Sequence, residues 1–149
     1  MDKRKRNWLS TGIVAALASA CLTTVPMAQA KVCSERDATA ADAMVDHLDS
    51  WSQVNVTFTK YGHCDDGEIA EGNSEGIARL LVDHWETLPQ LGVLIRRNPR
   101  LKAFVLRHID STLDTVDLTK ISSLATSSCP PGMGALCHDL GTVASKAGH

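Results

Sequence analysis

Apolar residues along most of this chain recur at three- and four-residue steps, the period of a helix with one face turned inward. Ala41, Met44, Val45 and Leu48 form the first such stripe. Ser34 and Asp37 supply start signals upstream, and the pattern predicts one helix from about Ala38 to Tyr61. Within it Val54, Val56 and Phe58 alternate as a strand would, but no second strand candidate exists to pair with them, so helix is the better assignment. The stretch YGHCDDGEIAEGNS carries Gly62, Gly67 and Gly72 among acidic and polar residues. It reads as a loop with one helical turn over Glu68 to Glu71. Ile77, Leu80, Leu81, His84 and Leu88 then give the clearest stripe, opening after Asn73 or Ser74 as a cap.

The second half repeats this grammar. Thr87 and Gln90 in TLPQ have capping-box spacing, with Pro89 in the first turn, where its missing N–H does no harm; Leu91, Leu94 and Ile95 continue the apolar face. Asn98 and Pro99 announce another helix, burying Leu101, Phe104, Val105 and His108 or Ile109. HIDSTLDT supplies turn and cap residues, and Asp114 and Asp117 suit the positive end of a helix that buries Leu118, Ile121, Leu124 and Ala125. Pro130, Pro131 and Gly132 end that helix. A final stripe runs through Met133, Leu136, Cys137, Leu140, Val143 and Ala144, which puts Cys137 on the buried face and His138 off it. The expectation is an all-α fold: a compact antiparallel bundle of five to six short helices.

The N-terminus changes the picture. Lys3 to Arg6, an apolar run from Trp8 through Leu22 and the small-residue site MAQA have the order of a cleaved secretory signal, so residues 1–30 are expected to be removed and 31–149 to form a single domain. The apolar run is short and diluted for a membrane anchor. A lipoprotein acylated at Cys21 is a weaker fit, because Ala18 stands where Leu is usual. Cleavage removes four cations and one anion, taking the formal charge from −2 to −5. Such a surface disfavours nucleic acid and anionic membranes and favours a basic partner. Acids crowd Glu35 to Glu86, whereas Arg96, Arg97, Arg100, Lys102 and Arg107 form a basic band. Four cysteines remain, and an even set in a small exported domain reads first as disulfides. Of three possible pairings, Cys33 with Cys64 and Cys129 with Cys137 is preferred, and these closures would contribute roughly 3.7 and 2.6 kcal/mol by the loop-entropy model.

Candidate chemistry is thin. His63 with Cys64 and Cys137 with His138 lack the two-to-four-residue gap of paired zinc ligands, so no metal or other cofactor is expected. Cys137 and His138 diverge on a helix and lack the geometry for proton transfer. Asp65, Asp66, Glu68 and Glu71 stand in a glycine-rich stretch with no apolar neighbours to raise a pKa, and read as solvated charge or partner contacts. His84 and His108 fall on apolar stripes and read as hydrogen-bonded core histidines. No Ser-His-Asp order stands out. A small, acidic, disulfide-clipped helical domain without a reaction centre is expected to be a binder or inhibitor rather than an enzyme.

Three stretches carry a resemblance: CDDGEIAEG at Cys64 to Gly72, FVLRHIDSTLDTVDLTKI at Phe104 to Ile121, and CPPGMGALC at Cys129 to Cys137. Together they resemble the type VI secretion amidase immunity proteins of Gram-negative bacteria, over roughly Trp51 to Ala144. The resemblance implies a periplasmic all-α homodimer that blocks a secreted peptidoglycan amidase, a papain-like cysteine peptidase cutting between D-glutamate and diaminopimelate. It further implies occlusion of the cleft by a loop between helices, aided by a helix of the other subunit. Two segments offer such a plug: the acidic one with Asp65, Asp66, Glu68 and Glu71, and the turn with Asp110, Ser111, Thr112 and Asp114, which the resemblance favours slightly. The turn residues read equally well as helix caps. The alternative from another class is a periplasmic lysozyme-inhibitor-like or stress-related binding protein without a secreted effector partner.

Overall fold

The computed structural model describes residues 31–149; the expected signal segment, Cys21 included, lies outside them. Seven α-helices follow one another: α1 Glu35–Val45, α2 Trp51–Tyr61, α3 Gly67–Asp83, α4 Leu88–Arg97, α5 Arg100–Arg107, α6 Thr115–Ser127 and α7 Gly134–Ala147. Single 3-10 turns at Gly62–Cys64 and Trp85–Thr87 lead into α3 and α4, and no strand occurs among the described residues. The all-α class holds, with seven α-helices among the described residues rather than five or six.

The extra helix comes from a break in the segment expected to run unbroken to Tyr61. Ser50 accepts a bond from the Gln53 amide, and Gln53 Oε1 accepts from the Asp49 amide at 3.1 Å and from Ser50 Oγ at 2.9 Å. This local network starts a new helix at Trp51, much as a capping box does. Leu48, within the break, and Trp51, just after it, are both buried.

A second correction concerns the glycine-rich stretch, which is helix rather than loop from Gly67 onward. Asp66 caps α3 through its side chain, at 2.9 Å from the Gly67 amide. Asn73 and Ser74, expected as caps, are buried inside that helix. Gly72 and Gly76 lie one turn apart where α1 and the segment after it press against α3. A Cβ at Gly72 would stand 2.8 Å from the Val45 side chain, and one at Gly76 2.8 Å from that of Leu48. These glycines serve close approach between helices, not a turn.

The inward stripes otherwise meet in one core. Leu48, Trp51, Ile77, Leu81, Leu91, Leu101, Ile121 and Leu140 are all buried in it, drawing on α2 to α7 and the α1–α2 connection. Two tryptophans send their indole N–H to distant partners: Trp51 Nε1 to Thr87 Oγ1 at 2.9 Å and Trp85 Nε1 to the Ser128 carbonyl at 2.8 Å. Thr87 is thereby taken from its expected capping role; its hydroxyl donates to the His84 carbonyl at 2.6 Å. Asn98 likewise does not cap α5 but donates to Asn55 Oδ1 at 3.2 Å. His84 is exposed at the end of α3 rather than in the core, because the helix ends there and turns the ring outward. Both disulfides take the preferred pairing, Cys33 with Cys64 and Cys129 with Cys137, at Cα separations of 4.9 and 6.0 Å.

Candidate functional site

Asp65 is the largest departure from the sequence reading. It follows the 3-10 turn, held by the Cys33–Cys64 disulfide, and its side chain is only 3% exposed. Its carboxylate meets three donors from two helices. Asn73 Nδ2 of α3 donates to Oδ1 at 2.9 Å, while His108 Nε2 at 3.2 Å and the Arg107 guanidinium, both from the end of α5, reach Oδ2. Burial pushes this carboxyl up. Hydrogen bonds from His108 and Asn73, together with the charges of His108 and Arg107, outweigh that and hold its pKa below the ordinary value. Asp65 is therefore a buried ion-pair partner, not the solvated loop charge its neighbours suggested.

The other face of the imidazole completes a chain. His108 Nδ1 lies 2.9 Å from Ser74 Oγ, and the same hydroxyl is 3.0 Å from the Ala70 carbonyl. Since an ionised carboxylate can only accept, Nε2 is the donor to Asp65. Phe104 stacks edge-on against the ring at 4.5 Å and carries Arg107 over its own face at 5.4 Å. Serine, histidine and aspartate thus come together although 34 and 43 residues separate the bonded pairs. The order is not that of a hydrolytic triad, in which Nε2 serves the hydroxyl and Nδ1 the carboxylate. Here the ring is turned the other way, and Ser74 is buried with its hydroxyl against its own helix.

The remaining acidic candidates divide. Asp66 is a cap, and Glu68 and Glu71 are exposed on the first turns of α3. Asp110, Ser111, Thr112 and Asp114 form the connection between α5 and α6. Asp110 Oδ1 accepts from the Thr112 amide at 2.8 Å and its hydroxyl at 2.6 Å, and Asp114 caps α6 at 2.8 Å from the Val116 amide. Ile109 and Leu113 are buried beneath, while Ser111, Thr112 and Asp114 face solvent. Beside this turn runs a groove of about 360 Å³ between it and α3, with Glu75, Asp83, Asp114 and Asp117 on its walls against Arg79. Of the basic band, Lys102 pairs with Asp139 and Arg107 with Asp65, whereas Arg96, Arg97 and Arg100 are exposed.

No family model, curated protein or solved structure matches the chain. Two neighbouring features bear on what it can do: a buried polar chain centred on His108, and an exposed turn, bonded within itself, that starts one residue later. His108 was legible as a core histidine from its place on the α5 stripe. Nothing local marked Ser74, Asn73 or Asp65 as its surroundings, because glycines and acids disguised the helix that carries the first two.

Proposed function

We propose that this chain is an exported immunity protein that binds and occludes the active site of a type VI-secreted peptidoglycan amidase, protecting the producing cell and its siblings from it. The observation that carries this reading is the α5–α6 turn. Its polar residues are presented on a connection locked by its own hydrogen bonds and anchored by Ile109 and Leu113. A pre-ordered loop loses little conformational entropy on entering a cleft, which is the usual route to tight inhibition. The adjoining groove, rich in carboxylates, suits lysine or arginine side chains on the rim of a cleft. Two disulfides fit a protein that works outside the reducing cytoplasm. In this reading Ser111 and Thr112 enter the cleft, Asp110 and Asp114 shape and charge the turn, Glu68 and Glu71 lie outside the contact, and the working unit is a periplasmic homodimer.

Co-purification of the mature chain with periplasmic and culture-supernatant proteins tests this directly, followed by an amidase assay on peptidoglycan. Capture and stoichiometric inhibition of a hydrolase that cuts the D-glutamate–diaminopimelate bond is the expected result. Asp110→Lys should weaken capture at least about tenfold, the scale of losing one well-placed interfacial charge, while Glu71→Lys leaves it unchanged. Recovery of no cell-wall hydrolase would refute the reading.

A further inference from the structure

We propose that the buried chain Ser74–His108–Asp65 positions the α5–α6 turn, so that Ser74, His108 and Asp65 are positioning residues for partner binding. The purpose assigned here rests on the occlusion reading; the positioning itself does not.

His108 links the polar chain to the turn. His108 is the residue at which α5 stops, and its backbone N–H still bonds back to the Val105 carbonyl at 3.2 Å. Ile109 bonds to the Leu106 carbonyl at 3.3 Å, and beyond it the only backbone bond within the turn is Leu113 N–H to the Asp110 carbonyl at 3.2 Å. Apart from these backbone bonds and the Asp110–Thr112 bonds inside the turn, its orientation comes from the His108 side chain and from apolar contacts of Ile109 and Leu113. Apolar contacts are non-directional and permit a helix end to rotate or slide by a fraction of a turn. A ring bonded at both nitrogens to groups on opposite sides does not.

Those two groups belong to different parts of the fold. Ser74 sits in the middle of α3, which packs on α1, α2 and α6, and Asp65 is fixed by the neighbouring disulfide and by Asn73. The charged and polar groups facing His108 are Asp65 from the connection before α3, Ser74 from α3 and, sharing Asp65, Arg107 from α5 itself. Asn73, Arg107 and His108 Nε2 converge on the one carboxylate, while His108 Nδ1 meets Ser74, and each bond in such a run strengthens the next. Buried polar bonds of this kind select one arrangement among several that hydrophobic packing alone would tolerate. What they select here is the angle at which Asp110 to Asp114 leave the body of the molecule.

Amide hydrogen exchange on the isolated mature chain tests this without any partner. Ser74→Ala removes one arm and His108→Gln shortens the bridge; the first is the milder change and keeps the measurement informative if the second does not fold. Both should raise exchange at Ile109 to Leu113 by about tenfold or more, with amides of α6 and α7 around Ile121 and Leu140 unchanged. Glu71→Lys, on an exposed position of α3 outside both the chain and the turn, should leave exchange at Ile109 to Leu113 unchanged. Unchanged exchange in the turn, or a uniform rise across all helices, overturns the proposal: the first means the bonds do not hold the turn, the second that they serve global stability only. Either result leaves the occlusion reading standing. Failure to capture a hydrolase, conversely, would leave a measured local loosening intact.

Discussion

At Asp65 an ionised carboxyl is withdrawn from water and surrounded by donors, and the two effects pull its pKa in opposite directions. Because the donors win, its folded pKa is depressed. A depressed carboxylate contributes stability that is fully present above its unfolded value, about 3.9, and is lost as pH falls through the lower folded value. Asp37, whose Oδ2 meets Lys31 at 2.9 Å and His63 at 3.0 Å, is lowered by those hydrogen bonds in the same sense. Asp65→Asn should destabilise the protein at pH 7 by about 3 kcal/mol, the scale of breaking a buried pair from one side. Below about pH 4, where the Asp65 carboxyl of the unfolded chain protonates while the folded one still holds its charge, the gap between the two proteins should narrow. Urea denaturation at pH 7 and pH 3 measures both; a gap that widens in acid would contradict the sign. Arg107→Ala should lose less than about 1 kcal/mol, since that guanidinium is 59% exposed and screened. None of this was readable from the neighbours of Asp65 in sequence. Its partners are contributed by α3 and α5, and only the fold brings them together.

Helices, unlike that site, were mostly legible, because a periodic apolar stripe is a local property. The stripes through Ile77 to Leu81, Leu101 to Val105, Leu118 to Ala125 and Leu136 to Ala144 all face the core as their spacing requires. The failures occurred where a residue type has two physical uses. Gly72 looks like a loop signal but forms, with Gly76, the bare patch on α3 against which Val45 and Leu48 pack. Ser50 and Gln53 have helix-start spacing, yet the apolar period runs through them and hid the break between α1 and α2. A substitution pair separates the two uses of glycine. Gly→Ala in an open helical position gains up to about 1 kcal/mol from propensity. At Gly134, where an added methyl meets nothing within 4 Å, Ala should raise the melting temperature. At Gly76 the methyl would fall 2.8 Å from Leu48 Cβ and Cδ1, and overpacking should reverse the sign, a net loss of about 1–2 kcal/mol. Thermal melts of the two variants decide it; a stabilised Gly76→Ala would mean that the α1–α2 connection and α3 separate more easily than their contact implies.

For the molecule as a whole, the two disulfides do different jobs although both close loops. Cys129–Cys137 spans a sequence separation of 8 around Pro130, Pro131 and Gly132, fixing a corner that α6 and α7 already define by packing along each other, with Ser122 and Ser145 bonded at 2.8 Å. Cys33–Cys64 spans 31 residues and ties the start of α1 to the turn that carries Asp65. Loop entropy alone ranks the long bridge above the short one by about 1 kcal/mol. Geometry adds to that, because freeing Cys64 also frees one support of the carboxylate on which His108 and Arg107 converge. The paired Cys→Ser variant at Cys33 and Cys64 should lose about 4 kcal/mol and loosen amides at Ile109 to Leu113 as well. The pair at Cys129 and Cys137 should lose about 2–3 kcal/mol and leave that turn as protected as in the wild type. Equal effects of the two pairs on the turn would show that the bridge next to Asp65 acts on the unfolded chain alone. A selective effect of the first pair would mean that oxidation at Cys33 and Cys64 helps set the turn from the far end of the same buried chain.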